Sequence, residues 1–516
     1  MKISDIKLRI GEDESGLKNK ALKKAGVSSA PYFRILKKSL DARDKGDIFY
    51  TYSVELSDSP FQDEQEEILD CAIPKKPVVV VGLGPAGLFC ALSLARQGFK
   101  PIVLERGSDV DERKKKTQTF FSSAVLDEEC NVQYGEGGAG TFSDGKLNTG
   151  VKSESKGFVL RELIKHGAPE CIAYLSKPHI GSDILPCVVK NIRNEIIALG
   201  GTVLFDTRLT SITLKDGEIT AIEYAHKNNV TTLEVSELVI AIGHSSRDTY
   251  EMLFSKGVVM EQKDCAIGVR VEHLREHINK SQYGRDIGVS ADYKLTTNAN
   301  GRGVFSFCMC PGGVVVPSAS EEGGLVTNGM SEFARDKENS NSAIICQVRA
   351  SDYGGGILDG IDFLRKIEQR AFVVGGKNYC APVQNVVDFL KDRKSTKVGE
   401  VKPSYAIGTE WARVDDVLPS FVTASLRMAF ADFERKIKGF STSGILTCAE
   451  TRTSSPVRIV RGEKLNAIGI SNAYPSGEVG YAGGIMSSAL DGLKVANAIK
   501  EKYSGEASVG NMKANV

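Results

Sequence analysis

The sequence predicts an α/β protein whose main body is a doubly wound parallel sheet assembled from separated stretches of chain. Three observations predict it. The four-valine run Val78 to Val81 ends in a glycine turn, opens a helical pattern at Leu88, Ala91, Leu92 and Ala95, and is followed by a second apolar run at Ile102 to Leu104. Strand, tight turn, helix and strand in that order begin a parallel βαβ unit. Buried strand patterns return at Leu238 to Ile242 and again at Asn466 to Ile470, so the domain is expected to be discontinuous. Finally, 516 residues correspond to roughly two to four domains, which leaves room for an inserted α+β region and a small α+β module at the front.

The elements follow in order. Ile6, Leu8 and Ile10 alternate as a strand does, as do Ile48, Tyr50, Tyr52, Val54 and Leu56. Between them Leu17, Ala21, Leu22 and Ala25 share one helical face and Phe33, Leu36 and Leu40 another, predicting β-α-α-β over residues 1–58. The acidic stretch 58–76, closed by Pro74 and Pro77, reads as a linker. Beyond the βαβ unit, a helix from Val188 to Leu199 leads to strands at Thr202 to Phe205, Thr210 to Leu214 and Ile219 to Tyr224, with Asp216-Gly217 as a hairpin turn. A final amphipathic helix carries Ile485, Met486, Ala489, Leu490, Leu493, Ala496 and Ile499. The expected division is 1–74 as module and linker, 75–150, 187–250 and 440–505 as the nucleotide domain, 151–186 and 251–439 as the substrate insertion, and 506–516 as a flexible tail.

Composition narrows the function classes. Lys plus Arg is 66 against 65 for Asp plus Glu, so no overall charge draws the chain to nucleic acid. Within residues 1–50 the balance is twelve bases to seven acids, a local excess that either solvates a helix face or docks on RNA or an acidic partner. The longest apolar runs fall far short of the ~20 residues a membrane span needs, and the mean hydropathy is −0.15. Without a visible leader, and with 11 cysteines that form no CxxC pair, a reducing, cytoplasmic setting is expected. Oligomeric state is not readable.

The chemistry-bearing motif is Gly82-Leu-Gly84-Pro85-Ala86-Gly87. In a strand–turn–helix of this type the first glycine makes the turn, the second admits a pyrophosphate to the backbone, and the third lets helix and strand pack closely. Glu105 ends the second strand 23 residues after Gly82, where a carboxylate accepts hydrogen bonds from ribose hydroxyls, and Arg106 follows it. A dinucleotide site is predicted.

Two segments favour FAD over NAD. Leu238-Val-Ile-Ala241-Ile-Gly243 resembles the strand that follows a hairpin in glutathione-reductase-like flavoproteins, and Leu209 then falls where backbone groups read an adenine. Tyr474-Pro-Ser-Gly477-Glu478 with Gly483-Gly484 resembles the second flavin fingerprint, Glu478 standing where that family has aspartate. The glycines there open a helix whose positive end favours negative charge on a flavin. The densest glycine segment runs from Tyr134 to Leu147; backbone at Gly138, Gly140 and Thr141 is predicted to pass along the flavin ring, with Asp144 beside it and Lys146 stabilising a reduced ring or a substrate anion.

Residues 135–147, Ser306 to Gly313, Val326 to Ser331, Glu450 to Arg458 and Tyr474 to Gly484 together resemble the bacterial FAD-dependent dehydrogenases known as NAD(FAD)-utilising, over most of the chain. Bound FAD and a redox role are what the resemblance implies; a substrate is not. Lys146, Cys308, Cys310 and Arg452 are candidate reactive groups. Two thiols so close in a strand-like run are too close for an unstrained disulfide and more often serve as buried packing groups. Arg452 and Arg458 suit clamping a carboxylate or phosphate. His179 and Asp183 suit proton transfer, Asp183 equally a helix cap, and His244 flavin packing. His273-Leu-Arg-Glu276-His277 matches a zinc spacing only if it is helical, which the strand pattern Ile267 to Val271 opposes, so no metal is assigned.

The expected function is therefore that of an FAD-dependent oxidoreductase passing hydride through flavin N5 to or from a small molecule. No second strand-linked GxGxxG occurs, so NAD(P)H is expected to bind transiently if at all. The alternatives are an oxygen-using monooxygenase or oxidase, and a non-catalytic FAD-binding protein whose basic module captures RNA or protein.

Overall fold

The computed structural model describes residues 1–62, 69–227 and 229–513, with side chains as far as residue 504. At its centre lie five short parallel strands in the spatial order Ala473–Pro475, Glu237–Ile240, Val78–Val81, Ile102–Leu104 and Thr202–Leu204. Val78–Val81 is buried at every position because both faces are covered. One face carries the helices Pro85–Arg96, Lys156–Lys165, Leu185–Ala198 and Ile485–Lys513, packed in one apolar cluster. The other carries the antiparallel ribbon Thr207–Lys215, Glu218–His226 and Asn229–Glu234 together with the helix Arg247–Ser255. Pairing Val81 with both Leu104 and Ile240 aligns the carboxyl ends of these strands, where ligands of such sheets bind.

Beside it stands a seven-stranded sheet in the order Thr296–Ala299, Arg302–Cys310, Asn339–Val348, Cys265–Leu274, Ile445–Glu450, Ala381–Asn385 and Thr409–Trp411. The helices Asp359–Val374 and Ser420–Lys436 contribute to its core, where Phe389, Phe430, Phe433 and Phe440 are fully buried. Each such ring removes apolar surface worth about 2–3 kcal/mol.

Four local expectations are corrected. Residues 32–41 form a strand, Tyr32–Asp41, paired with Phe49–Ser57, and the module is β-α-β-β. A bulge between Ile35 and Lys37 shifts the alternation by one, which is why Phe33, Leu36 and Leu40 carry a helix-like spacing. Asn466 to Ile470 is a turn held by an isolated Arg461–Ala467 bridge, and the returning parallel strand is Ala473–Pro475. Ile445–Glu450 pairs with Cys265–Leu274 in the seven-stranded sheet, so residues 440–450 lie with the insertion. Conversely, Val159, Leu163, Ile172 and Ile180 pack with the nucleotide-domain helices, so 151–186 joins that core.

The module is tied to the body by hydrogen bonds from Lys38 N to Tyr174 O and from Ser176 N to Lys38 O. Lys20, Arg34, Lys38 and Arg43 each pair with an acid inside the module. Part of the acidic linker, residues 63–68, and the side chains of the expected tail beyond 505 lie outside the described residues. Among the described residues no helix is long and apolar enough to cross a membrane.

Gly268 lies in mid-strand where two sheet neighbours meet; a Cβ there would fall 2.0 Å from Ile344 O. Gly268→Ala is expected to lower the unfolding free energy by about 3 kcal/mol, read as a drop in the urea midpoint with the slope unchanged.

Candidate functional site

The carboxyl ends of the parallel strands open into a cavity of about 450 Å³. Its walls come from the predicted motifs: Gly82, Gly84, Pro85 and Ala86 from the first turn, Glu105 and Arg106 from the second strand, and Leu209, Ala241 and Gly243 from the ribbon and fourth strand. Gly138, Gly140, Asp144 and Lys146 add the glycine-rich loop, and Glu478, Gly483 and Gly484 the C-terminal fingerprint. Cys308 and Arg452 complete the far wall with Phe307, Asn328 and Glu450.

Gly87, Thr141, Gly477 and Cys310 do not line the cavity. Gly87 works behind it: a Cβ would lie 1.9 Å from Gly82 O, so only glycine lets the helix sit against the turn. Gly477, with φ +74°, donates to Asp491 Oδ2 at 2.8 Å and has no room for a Cβ beside Ala86. Thr141 donates to Glu136 O at 3.3 Å.

The loop is held in place by two buried groups. Glu105 accepts hydrogen bonds from Leu83 N at 2.8 Å and from Gly107 N and Gly135 N at 2.9 Å each, stitching the first turn to the glycine loop. Its expected ribose role therefore falls to whatever acceptor capacity these three amides leave. Arg113, fully buried, donates to the carbonyls of Asn131, Val132, Gly135, Glu136 and Gly138. Burial pushes its guanidinium down to about 10, against the opposing pull of Cys130, Glu105 and Glu136. The sequence reading passed over Arg113, because one arginine in a charged helix carries no signal of the loop it will meet.

Two charge clusters shape the far wall. Glu368 is buried and receives Arg452 Nε at 2.8 Å and Nη2 at 2.9 Å, Arg247 at 2.8 and 2.9 Å, and Thr451 Oγ1 at 2.7 Å. These cations hold its carboxyl well below the usual range despite burial. Arg452 lines the cavity with its guanidinium engaged by Glu368, whereas Arg458 pairs with Glu261 and does not line the cavity. In the second cluster Arg270, fully buried, donates to Glu450 Oε1 at 3.0 Å, Asn341 Oδ1 at 2.8 Å and Cys308 O. Burial raises the Glu450 carboxyl to about 7, and its Oε2 has no hydrogen-bond partner among the described residues. Lys146 Nζ is likewise buried without a hydrogen-bond partner among the described residues, paired as an ion with Asp144 Oδ2 at 3.3 Å; Asp144 is itself bound by Arg335.

The remaining candidates separate. His179 stacks on Phe333 and bonds to its carbonyl at 3.0 Å, while Asp183 accepts from Phe333 N at 2.8 Å rather than capping a helix; neither lines the cavity. His244 lines it 3.4 Å from Glu478, and burial lowers its pKa. His273 is the penultimate residue of a strand, with Nε2 at 2.8 Å from Phe440 O, and His277 bonds to Lys438 O.

A family profile described as FAD binding domain matches residues 77–128, and one described as FAD-dependent protein, C-terminal domain-like, matches residues 264–453; a domain of unknown function matches residues 1–57. An uncharacterized protein of Clostridium beijerinckii is 49% identical over 532 residues, covering 98% of this chain and 99% of that one. The chain belongs to this family of FAD-dependent flavoproteins. FAD is its cofactor. Among solved structures, a geranylgeranyl bacteriochlorophyll reductase-like protein of Thermoplasma acidophilum is 11% identical over 85% of this chain and 83% of its own, with a TM-score of 0.36. A glycerol-3-phosphate dehydrogenase of Bacillus halodurans complexed with FAD is 10% identical over 83% and 64%, with a TM-score of 0.33. Likeness this loose decides nothing about the reaction.

The cradle of the flavoprotein suits FAD on its own geometry. Gly84 caps the helix Pro85–Arg96 without a side-chain hydrogen bond, leaving its positive end to an anion. Gly138, at φ +65°, would place a Cβ 3.0 Å from Gly84 Cα, so any larger residue would intrude between loop and turn.

Two variants test this construction. Arg113→Lys cannot reach five carbonyls and is expected to weaken FAD retention about tenfold or more, which is ~1.4 kcal/mol, measured by release of flavin fluorescence. Cys308 has φ +42°, a left-handed conformation costing an L-residue about 1–2 kcal/mol. Cys308→Gly should raise stability by about 1 kcal/mol in a denaturant titration, whereas Cys308→Ala should not.

Proposed function

We propose that this flavoprotein is a dehydrogenase or reductase that oxidises or reduces a small molecule held against the far wall of the FAD cavity. The observation that carries the reading is that one continuous cavity joins the two flavin fingerprints to a wall holding two buried polar atoms without a hydrogen-bond partner among the described residues, Lys146 Nζ and Glu450 Oε2, together with Cys308. Gly82, Gly84 and Ala86 would hold the pyrophosphate, Glu105, Arg106 and Leu209 the adenosine end, and Gly138, Gly140, Gly483 and Gly484 the ring system. Bound there, FAD supplies two-electron, hydride-accepting chemistry that no side chain possesses.

The chain supplies the rest. Lys146 provides a positive charge, with Asp144 only partly balancing it, to hold a substrate carboxylate, enolate or thiolate. Glu450 Oε2 accepts or returns a substrate proton; a carboxyl at about 7 is protonated below that pH and a competent base above it. Phe307 and Asn328 bound the substrate end. A transient nicotinamide donor requires no second Rossmann domain.

Anaerobic mixing of the yellow protein with NADH, NADPH and a panel of small organic substrates tests the proposal by loss of the oxidised flavin band. One hit names the donor, and reoxidation by dioxygen alone, faster than by any organic acceptor, would move the protein to the oxidase class. With a donor that loses a proton, the reduction rate should rise as pH passes about 7, and Glu450→Gln should abolish that inflection and slow reduction at least tenfold.

A further inference from the structure

We propose that Cys308 and Cys310 are a redox-active dithiol at the wall of the FAD cavity, and that the substrate couple this cavity serves is a thiol and its disulfide. The inference rests on the dehydrogenase or reductase reading and narrows its substrate class.

The strand Arg302–Cys310 runs regularly beside Asn339–Val348 until Phe307 pairs with Ala343; the next pair is Cys310 with Asn341. One extra residue is inserted, and Cys308, at φ +42°, takes the strain. In an unbroken strand Cys308 and Cys310 would share one face. Here the bulge separates their environments: Cys310 is fully buried and Cys308 lines the cavity. A left-handed cysteine costs stability for no packing gain, and such outliers mark positions where placement of the side chain matters.

The surroundings suit a thiolate. Lys146 Nζ, buried and without a hydrogen-bond partner, and Arg270, which donates to Cys308 O and approaches Cys310 Sγ at 3.6 Å, put two cations beside two sulfurs. The Cys310 thiol donates to Cys308 O at 3.2 Å; turned instead to the Cys308 sulfur, the same proton favours a thiolate at Cys308. The Cys308 thiol is held down to about 5, while Cys310 is pushed up. Burial pushes the thiols of Cys90, Cys130, Cys265, Cys346 and Cys448 up instead. The resulting pair is a nucleophile in the cavity with a protonated partner behind it, the arrangement that thiol–disulfide exchange requires.

In the exchange, the Cys308 thiolate attacks a substrate disulfide: a Cys308–substrate S–S bond forms, the substrate S–S bond breaks, and one substrate thiolate leaves. Cys310 loses its proton to that leaving thiolate and attacks Cys308 sulfur, forming the Cys308–Cys310 bond and releasing the second thiolate. The internal disulfide, strained by so short a spacing and so the more easily reduced, would be returned to thiolate and thiol by two electrons and one proton, which bound FAD would supply from a nicotinamide dinucleotide, the reductant class that restores the pair. The reverse direction oxidises a dithiol.

The test uses the full-length, FAD-loaded protein. After reduction with dithiothreitol and its removal under argon, the ultraviolet thiolate absorbance is titrated, and the protein is then alkylated and mapped by mass spectrometry before and after equilibration with oxidised FAD. Wild type should show one thiolate titrating below about pH 6, absent in Cys308→Ser and shifted upward in Lys146→Met. The peptide carrying residues 308 and 310 should become lighter by two hydrogens on oxidation, and should not in Cys310→Ser. If no thiolate titrates in that range, or the peptide keeps both thiols while the flavin is fully oxidised, the dithiol is overturned. Flavin reduction by an organic donor with both thiols retained would overturn it alone, whereas a flavin that no donor reduces and no oxidised peptide would bring down the functional reading as well.

Discussion

The structure depends on keeping a long glycine-rich loop pressed against the first turn of the parallel sheet. Glycine segments lose much conformational entropy on ordering, and between Tyr134 and Leu147, themselves buried, the loop buries no apolar side chain that would offset it. Two buried ionic groups do so instead. Glu105 collects three amides from three separate stretches of chain, and Arg113 collects five carbonyls from the loop itself. Because each satisfies backbone polar groups that water cannot reach, the cost of removing either exceeds its net contribution in place. The cavity wall on that side is a consequence of these two residues.

The opposite wall is built on a different principle. Glu368 sits in the insertion and Arg247 reaches it from the nucleotide domain, so that pair registers one against the other, while Arg270 and Glu450 lock neighbouring strands of the seven-stranded sheet together. Buried ion pairs add little net stability when well formed, yet they penalise any misalignment that leaves one member alone. That makes them suited to setting where the far wall stands. The unsatisfied atoms, Lys146 Nζ and Glu450 Oε2, lie inside this otherwise paired surround, so a buried ammonium and carboxyl oxygen are left for whatever enters the cavity.

Much of this was legible in the residues. Val78 to Gly87, Glu105, Ala241 to Gly243 and Gly483-Gly484 announced themselves because turn chemistry and strand burial are local, and all of these segments contribute to one cavity. The errors have equally local causes: the bulge between Ile35 and Lys37 mimicked a helix, and Ile445–Glu450 reads as a buried strand without saying which sheet it joins. The pairing of Arg452 was not legible because its partner Glu368 is 84 residues away.

By itself, then, the chain's order of residues determined the parallel sheet, its first glycine turn and the identity of the cavity-lining glycines, since each rests on contacts within a few residues or on one repeated period. Only the tertiary structure decided which charged groups are spent on the fold and which face the cavity. That choice is made by partners remote in sequence: Arg113 and Arg452 are consumed by carbonyls and a carboxylate, while Lys146 Nζ and Glu450 Oε2 have no hydrogen-bond partner among the described residues. Desolvation and long-range pairing decide it, and neither is written in any local pattern.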